Sequence, residues 1–158
     1  MTGTMADPMT QTDRIEKKVV LRAPRERVWR AISNAEQFGE WFRVKLDGPF
    51  AEGKTVRAKI LHKGVETQME FEIERIRPED YFAYRWHPYA MDPKVDYSKE
   101  PTTLVEFRLE DANEGTALTI IESGFDRIPA DRRAEAFRMD DQGWTSQVKA
   151  IEKYVSAS

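Results

Sequence analysis

Cysteine is absent from the 158 residues, which excludes disulfides, thiolate nucleophiles and cysteine-ligated zinc and suits a reducing cytoplasm, the location expected here. Histidine is scarce: only His62 and His87 occur. Neither has a second histidine or a carboxylate at ligand spacing, so no metal is expected. Phosphate loops, nucleophile elbows and paired-histidine motifs are missing too, and no cofactor is expected. No apolar run reaches the ~20 residues of a membrane span, and the opening "MTGTMADPMTQTD" has neither the basic start nor the apolar stretch of a secretory signal. Charge of one sign is also lacking, with 25 Lys and Arg against 28 Asp and Glu and a net charge of -3. Neither nucleic acid nor an anionic membrane is therefore an expected partner.

What is present is one domain's worth of chain, with 40% hydrophobic and 11% aromatic residues. A chain of this length buries roughly 70% of its extended surface, enough for one core. Residues 1–12 are expected to form a flexible tail with alternative starts at Met1, Met5 and Met9, and residues 13–158 a single domain.

The pattern "IEKKVVLRAP" puts Ile15, Val19, Leu21 and Ala23 on one parity and predicts a strand closed by Pro24. "PRERVWRAISNAEQFGEWF" predicts two short helices separated at Ser33-Asn34. Period two then takes over. Val56, Ala58 and Ile60 form one strand, a turn at Lys63-Gly64 follows, and Met69, Phe71 and Ile73 form the next. "YFAYRWH", "TTLVEFRLE" and "TALTIIES" complete six strands. From about Ala130 a long helix carries Phe137, Trp144, Val148, Ile151 and Val155 on one stripe. An antiparallel sheet with that helix across it is the α+β arrangement that buries both apolar faces.

The stretches "APRERVWRAISNAEQFGEWF", "TALTIIESGF" and "QGWTSQVKAIEKYV" resemble the START-like, helix-grip superfamily (SRPBCC, the birch-pollen-allergen type of fold). More narrowly they resemble the AHSA-type family, similar to the carboxy-terminal domain of activators of the heat-shock-protein-90 ATPase. The resemblance extends over nearly the whole chain from Arg14. It implies a deep apolar cavity between a curved sheet and the last helix. It also implies three functions, since members bind hydrophobic molecules, catalyse cyclisation or hydrolysis, or regulate a chaperone ATPase.

Inward parity independently brings Met69, Phe71, Tyr84, Trp86 and Phe107 toward that cavity, and Trp41 and Trp144 add aromatic surface from the helices. These seven are the candidate ligand-binding residues for a small hydrophobic or aromatic partner, in a monomer or a homodimer. Glu122 shares parity with Leu118 and Ile120, so its carboxylate is expected to face inward. There it orients a ligand or, as the candidate catalytic acid or base, moves a proton. The other reading is a strand that twists at Ser123-Gly124 and lets Glu122 pair with an arginine. Asp141 lies near the stripe of the last helix, at the pocket mouth or in solvent. "HPYAMDPKVDYSKEP" is either a lid or a self-packed surface loop. Charge-dense "GFDRIPADRRAEAFRMDD" reads as a solvated helix start. Gly143, inside the best amphipathic stretch, costs roughly 1 kcal/mol relative to alanine, offset either by close packing or by room left beside Trp144.

Overall fold

The computed structural model describes residues 13–62, 64–92 and 94–156; the expected tail at 1–12 and Lys63 of the expected turn lie outside them. Strand β1 (Arg14–Leu21) leads into helices α1 (Arg25–Ser33) and α2 (Ala35–Phe42). Strands β2 (Lys45–Leu46), β3 (Thr55–His62), β4 (Val65–Arg77), β5 (Tyr81–Trp86), β6 (Thr103–Ala112) and β7 (Gly115–Ser123) follow. A 3-10 turn (Phe125–Arg127) then precedes α3 (Ala130–Ser156). All seven strands form one antiparallel sheet in the order β1-β7-β6-β5-β4-β3-β2. The α+β, helix-grip expectation holds, with seven strands in place of six. The addition, β2, spans two residues and pairs only with Lys59 and Ala58; two residues carry no periodicity from which to read a strand.

Local chemistry explains the breaks. Pro24 precedes α1 with an extended backbone, and its carbonyl accepts from Val28 N–H at 3.1 Å. Asn34 ends α1 and starts α2, its side chain accepting from Gln37 N–H at 2.9 Å. Arg43 ends α2 in the left-handed region at φ 66, which drops the chain into β2. The sheet bends at a bulge between Ile73 and Arg75.

The inward face is the one parity indicates. Val105, Phe107 and Leu109 on β6 stand beside Glu122, Ile120 and Leu118 on β7 and, for the first two, beside Tyr84 and Phe82 on β5. Above them Phe38 of α2 forms the hub of an aromatic cluster. Its ring lies 5.0 Å from Trp41, 4.7 Å from Phe42, 5.5 Å from Phe50, 5.9 Å from Phe71, 6.3 Å from Tyr84 and 6.4 Å from Phe107. Most of these contacts are edge-on, the arrangement aromatic quadrupoles favour. The space expected to be a deep hollow is thus occupied by interlocked rings. Helix α3 packs on β1, α1 and α2, burying Trp144, Ile151 and Val155 of the expected stripe.

Candidate functional site

Glu122 does face inward and is fully buried. Strand β7 keeps its register through Ser123, so the strand does not turn the side chain out, and no arginine pairs with it among the described residues. Three neutral donors hold the carboxylate: Trp86 Nε1–H at 2.7 Å and Thr103 Oγ1–H at 2.5 Å on Oε2, and Trp144 Nε1–H at 2.8 Å on Oε1. The two indoles, anchored on one side chain, lie 5.9 Å apart and tilted by 33°. A carboxylate deprived of water is tolerated only where such hydrogen bonds replace hydration.

Trp86 and Trp144 are also walls of a cleft of about 350 Å³ at the sheet's β3–β5 end, completed by Phe42, Val44, Ile60, Met69, Tyr89, Met91, Met139 and Asp140, with Gly143, Gln142 and Arg43 exposed at the rim. The structure divides the candidate residues. Met69, Trp86 and Trp144 line this cleft. Phe71, Tyr84 and Phe107 do not; they are fully buried in the ring cluster. Trp41 is spent on the core as well, its Nε1–H donating to Ala31 O at 2.7 Å. Glu122 sits behind the two indoles and is not a lining residue, so it positions Trp86 and Trp144. Gly143 meets nothing: a Cβ added there would have no neighbour within 4 Å. Close packing is not its role; it leaves the rim open.

Asp140, not Asp141, is the acid that turns in. Asp141 pairs with Lys17 Nζ at 2.8 Å near the surface. Asp140 lines the cleft, and no other donor among the described residues reaches its buried Oδ2, so the hydrogen bond it shares with Glu122 needs a proton on one of the two carboxyls. Burial first, and then the adjacent charge and hydrogen bond of Glu122, push its carboxyl well above the usual carboxylate range, against a smaller opposing pull from Arg132. Tyr84 borders the same group: its buried hydroxyl lacks a partner among the described residues, and burial, Glu122 and Asp140 push it up in turn. The sequence carries a signal for Asp140. At about 100° per helical residue it lies about 40° from Trp144 around the axis, against about 60° for Asp141.

The segment after β5 is fixed to α3 through Arg132, so the expected solvated helix start is partly turned inward. Its guanidinium donates to Pro88 O at 2.8 Å, Tyr89 O at 3.3 Å and Glu100 Oε1 at 3.0 Å, and lies 4.7 Å from the ring centre of Tyr97. His87 Nε2 meets Glu100 O at 3.0 Å, while the side chain of His62 lies outside the described set. The loop thereby delivers Tyr89 and Met91 to the cleft, Tyr89 with a left-handed backbone at φ 49.

The stability consequence of Asp140 has a definite sign. A carboxyl raised by folding makes the native state bind more protons than the unfolded chain, so stability falls as pH rises. Its contribution is complete below the unfolded carboxylate value near 4 and is lost as pH climbs through its own higher titration. Asp140→Asn, which keeps a donor toward Glu122 and removes the titration, is expected to flatten that slope and gain stability over wild type toward alkaline pH. Urea midpoints of both proteins across a pH series check this; parallel curves would contradict it.

Residues 22–156 match the family described as Activator of Hsp90 ATPase homolog 1-like protein. The chain belongs to that family. Other members of the fold are similar in shape more than in sequence. Protein MLL2253 from Mesorhizobium loti superposes with a TM-score of 0.73 at 22% identity, covering 92% of this chain and 98% of that one. Ms6760 from Mycobacterium smegmatis gives 0.71 at 16% identity, covering 93% of each chain. DynU16, from the dynemicin biosynthetic locus, gives 0.70 at 24% identity, covering 91% of this chain but 47% of its own. These likenesses establish the START-like fold of this Activator of Hsp90 ATPase homolog 1-like chain, and the fold alone. No curated protein matches it in sequence. Among the described residues no helix is long and apolar enough to cross a membrane.

Proposed function

We propose that the chain binds a small molecule with a flat, mostly apolar body in the cleft beside Trp86 and Trp144. The observation that carries this reading is the pair of indoles tied by their N–H groups to one buried carboxylate. Anchored this way, each ring keeps its orientation when the cleft is empty, and a guest does not bear the cost of ordering it. Around them Met69, Met91 and Met139 supply adaptable, polarizable surface. The volume of about 350 Å³ is near the lower end of the ~300–1,000 Å³ range of small-molecule sites, so the guest is small.

Catalysis by Glu122 as a cyclase or hydrolase acid or base fits less well, because its oxygens are occupied by three donors and it stands behind the cleft wall. Chaperone regulation through residues 36–42 finds Phe38, Trp41 and Phe42 turned into the core, leaving no aromatic face of α2 for a partner.

Titration with neutral aromatic probes, 2-naphthol and indole, followed by intrinsic fluorescence, tests the reading. A guest of that size is expected to saturate with Kd on the order of 10–100 µM. Gly143→Phe, at a position where an added Cβ meets nothing within 4 Å, is expected to weaken binding at least about tenfold while keeping the unfolding midpoint. The reading fails if neither probe saturates, or if Gly143→Phe binds both as well as the parent.

A further inference from the structure

A buried negative charge with only neutral donors is an unusual neighbour for an apolar cleft. Glu122 is fully buried, and among the described residues no Lys or Arg forms an ion pair with it or with Asp140. Arg132, the cation that pulls on Asp140, pairs with Glu100 and donates to the carbonyls of Pro88 and Tyr89, its buried Nη2 making no hydrogen bond among the described residues. Asp140 lines the cleft and meets Glu122 through a hydrogen bond whose proton one of the two acids must carry, no other donor among the described residues reaching its buried Oδ2. A cation that enters the cleft beside Asp140 can take that proton's place. The fully buried Tyr84 hydroxyl, unpartnered among the described residues, faces the same pair of acids. The flanking walls are the rings of Trp86, Trp144 and Tyr89, whose faces attract cations. Arg43, the one cation among the lining residues, is exposed at the rim.

We propose that the cleft selects an ammonium compound: a small aromatic amine whose charged nitrogen donates to the Asp140 carboxylate while its ring lies against Trp86 and Trp144. This rests on the ligand-binding reading above and names the chemistry of its guest. An ammonium supplies both a donor and the positive charge that no ion-pair partner among the described residues gives these two acids. A neutral alcohol supplies only the first, and a carboxylate adds a further negative group. Binding also moves a proton: the O–H bond of the Asp140 carboxyl breaks as the ammonium arrives, and the proton passes to buffer.

Three probes of one shape separate the possibilities: 2-phenylethylamine, 2-phenylethanol and 3-phenylpropanoate, titrated calorimetrically into the full chain. The amine is expected to bind about tenfold or more tighter than the alcohol, the scale of a charge-assisted hydrogen bond, with the carboxylate weakest. Its heat is expected to vary with the ionisation enthalpy of the buffer, as proton release requires, and that of the alcohol is not. Asp140→Asn is expected to erase the preference, whereas Asp141→Asn, one residue along and outside the cleft, is expected to keep it. If the alcohol or the carboxylate equals the amine, or if the preference survives in Asp140→Asn, the ammonium assignment is wrong and a neutral-ligand site remains. Loss of the preference in Asp141→Asn as well would also overturn it, by showing a general charge effect. Failure of all three probes to bind while 2-naphthol or indole still saturates would overturn the ammonium assignment alone, whereas failure of all five would remove the ligand-binding reading with it.

Discussion

Glu122→Ala is expected to cost the fold about 3–5 kcal/mol, the range seen when one partner of a buried charged network is removed. The loss does not come from the methylene groups. Two indole N–H groups and the Thr103 hydroxyl, all pointed at one carboxylate, are left in an interior that water does not reach, each with its own desolvation cost of about 1–3 kcal/mol. Relaxation of Trp86 and Trp144 toward the cleft recovers part of that, which keeps the total below the simple sum. Glu122→Gln is milder, about 2 kcal/mol, because one oxygen still accepts while the amide opposes donor to donor. It also removes the charge that, after burial, most raises Asp140, so the pH dependence of stability is expected to weaken in this variant too. Urea denaturation at neutral pH decides the matter. A loss below about 1 kcal/mol for the alanine variant would mean that the indoles find other acceptors and are not held by Glu122.

Phe38→Ala is expected to cost a similar amount, about 3–5 kcal/mol, for a different reason. Phe38 is fully buried and its ring touches those of Trp41, Phe42, Phe50, Phe71, Tyr84 and Phe107. Those neighbours come from α2, the loop after β2 and strands β4, β5 and β6, so no single rearrangement closes the gap. Truncation would open a hollow among rings that are packed together in the wild type. Phe38→Leu, which keeps most of the volume, is expected to lose roughly 1 kcal/mol. If the alanine variant lost no more than that, the rings would have slack between them and the interior would hold room for a guest after all.

Against typical domain stabilities of about 5–15 kcal/mol, either alanine substitution leaves little margin. The two test different halves of one architecture. Phe38 belongs to the part filled by rings, and Glu122 to the part where the filling stops and two rings are tied back. Between them runs the boundary that decides where a small molecule has space.

Much of this was legible from periodicity because the strands are half-buried. Phe82, Tyr84 and Trp86 alternate with Ala83 and Arg85, and the inward face follows from that alternation. Glu122 was legible for the same reason, sharing parity with Leu118 and Ile120. What it touches was not. Trp86 and Trp144 stand 36 and 22 residues away from it in the chain, and no local pattern encodes that three side chains from two strands and a helix converge. Parity says which residues face in and does not say whether they meet as walls or as filling, so Phe71, Tyr84 and Phe107 were expected around a cavity that their own rings occupy. Strand β2 escaped notice because two residues cannot show a period. Asp140 and Asp141 lie about 100° apart around the helix axis, on either side of Trp144, and only the first reaches Glu122.

Gly143 is the counterpart of these rings. A helix interior glycine that neither packs closely nor takes a positive φ has no structural benefit in the folded chain. Its benefit lies in the rim it leaves unobstructed beside Trp144.

The most direct measurement follows the indole N–H and methionine methyl resonances of the protein while 2-naphthol is added. Shifts confined to the Trp86 and Trp144 N–H signals and the Met69, Met91 and Met139 methyls, with the Trp41 N–H signal unmoved, are the result expected for a cleft beside a filled interior. Movement of the Trp41 N–H signal, with those three methyls unchanged, would place the guest among the core rings and contradict it.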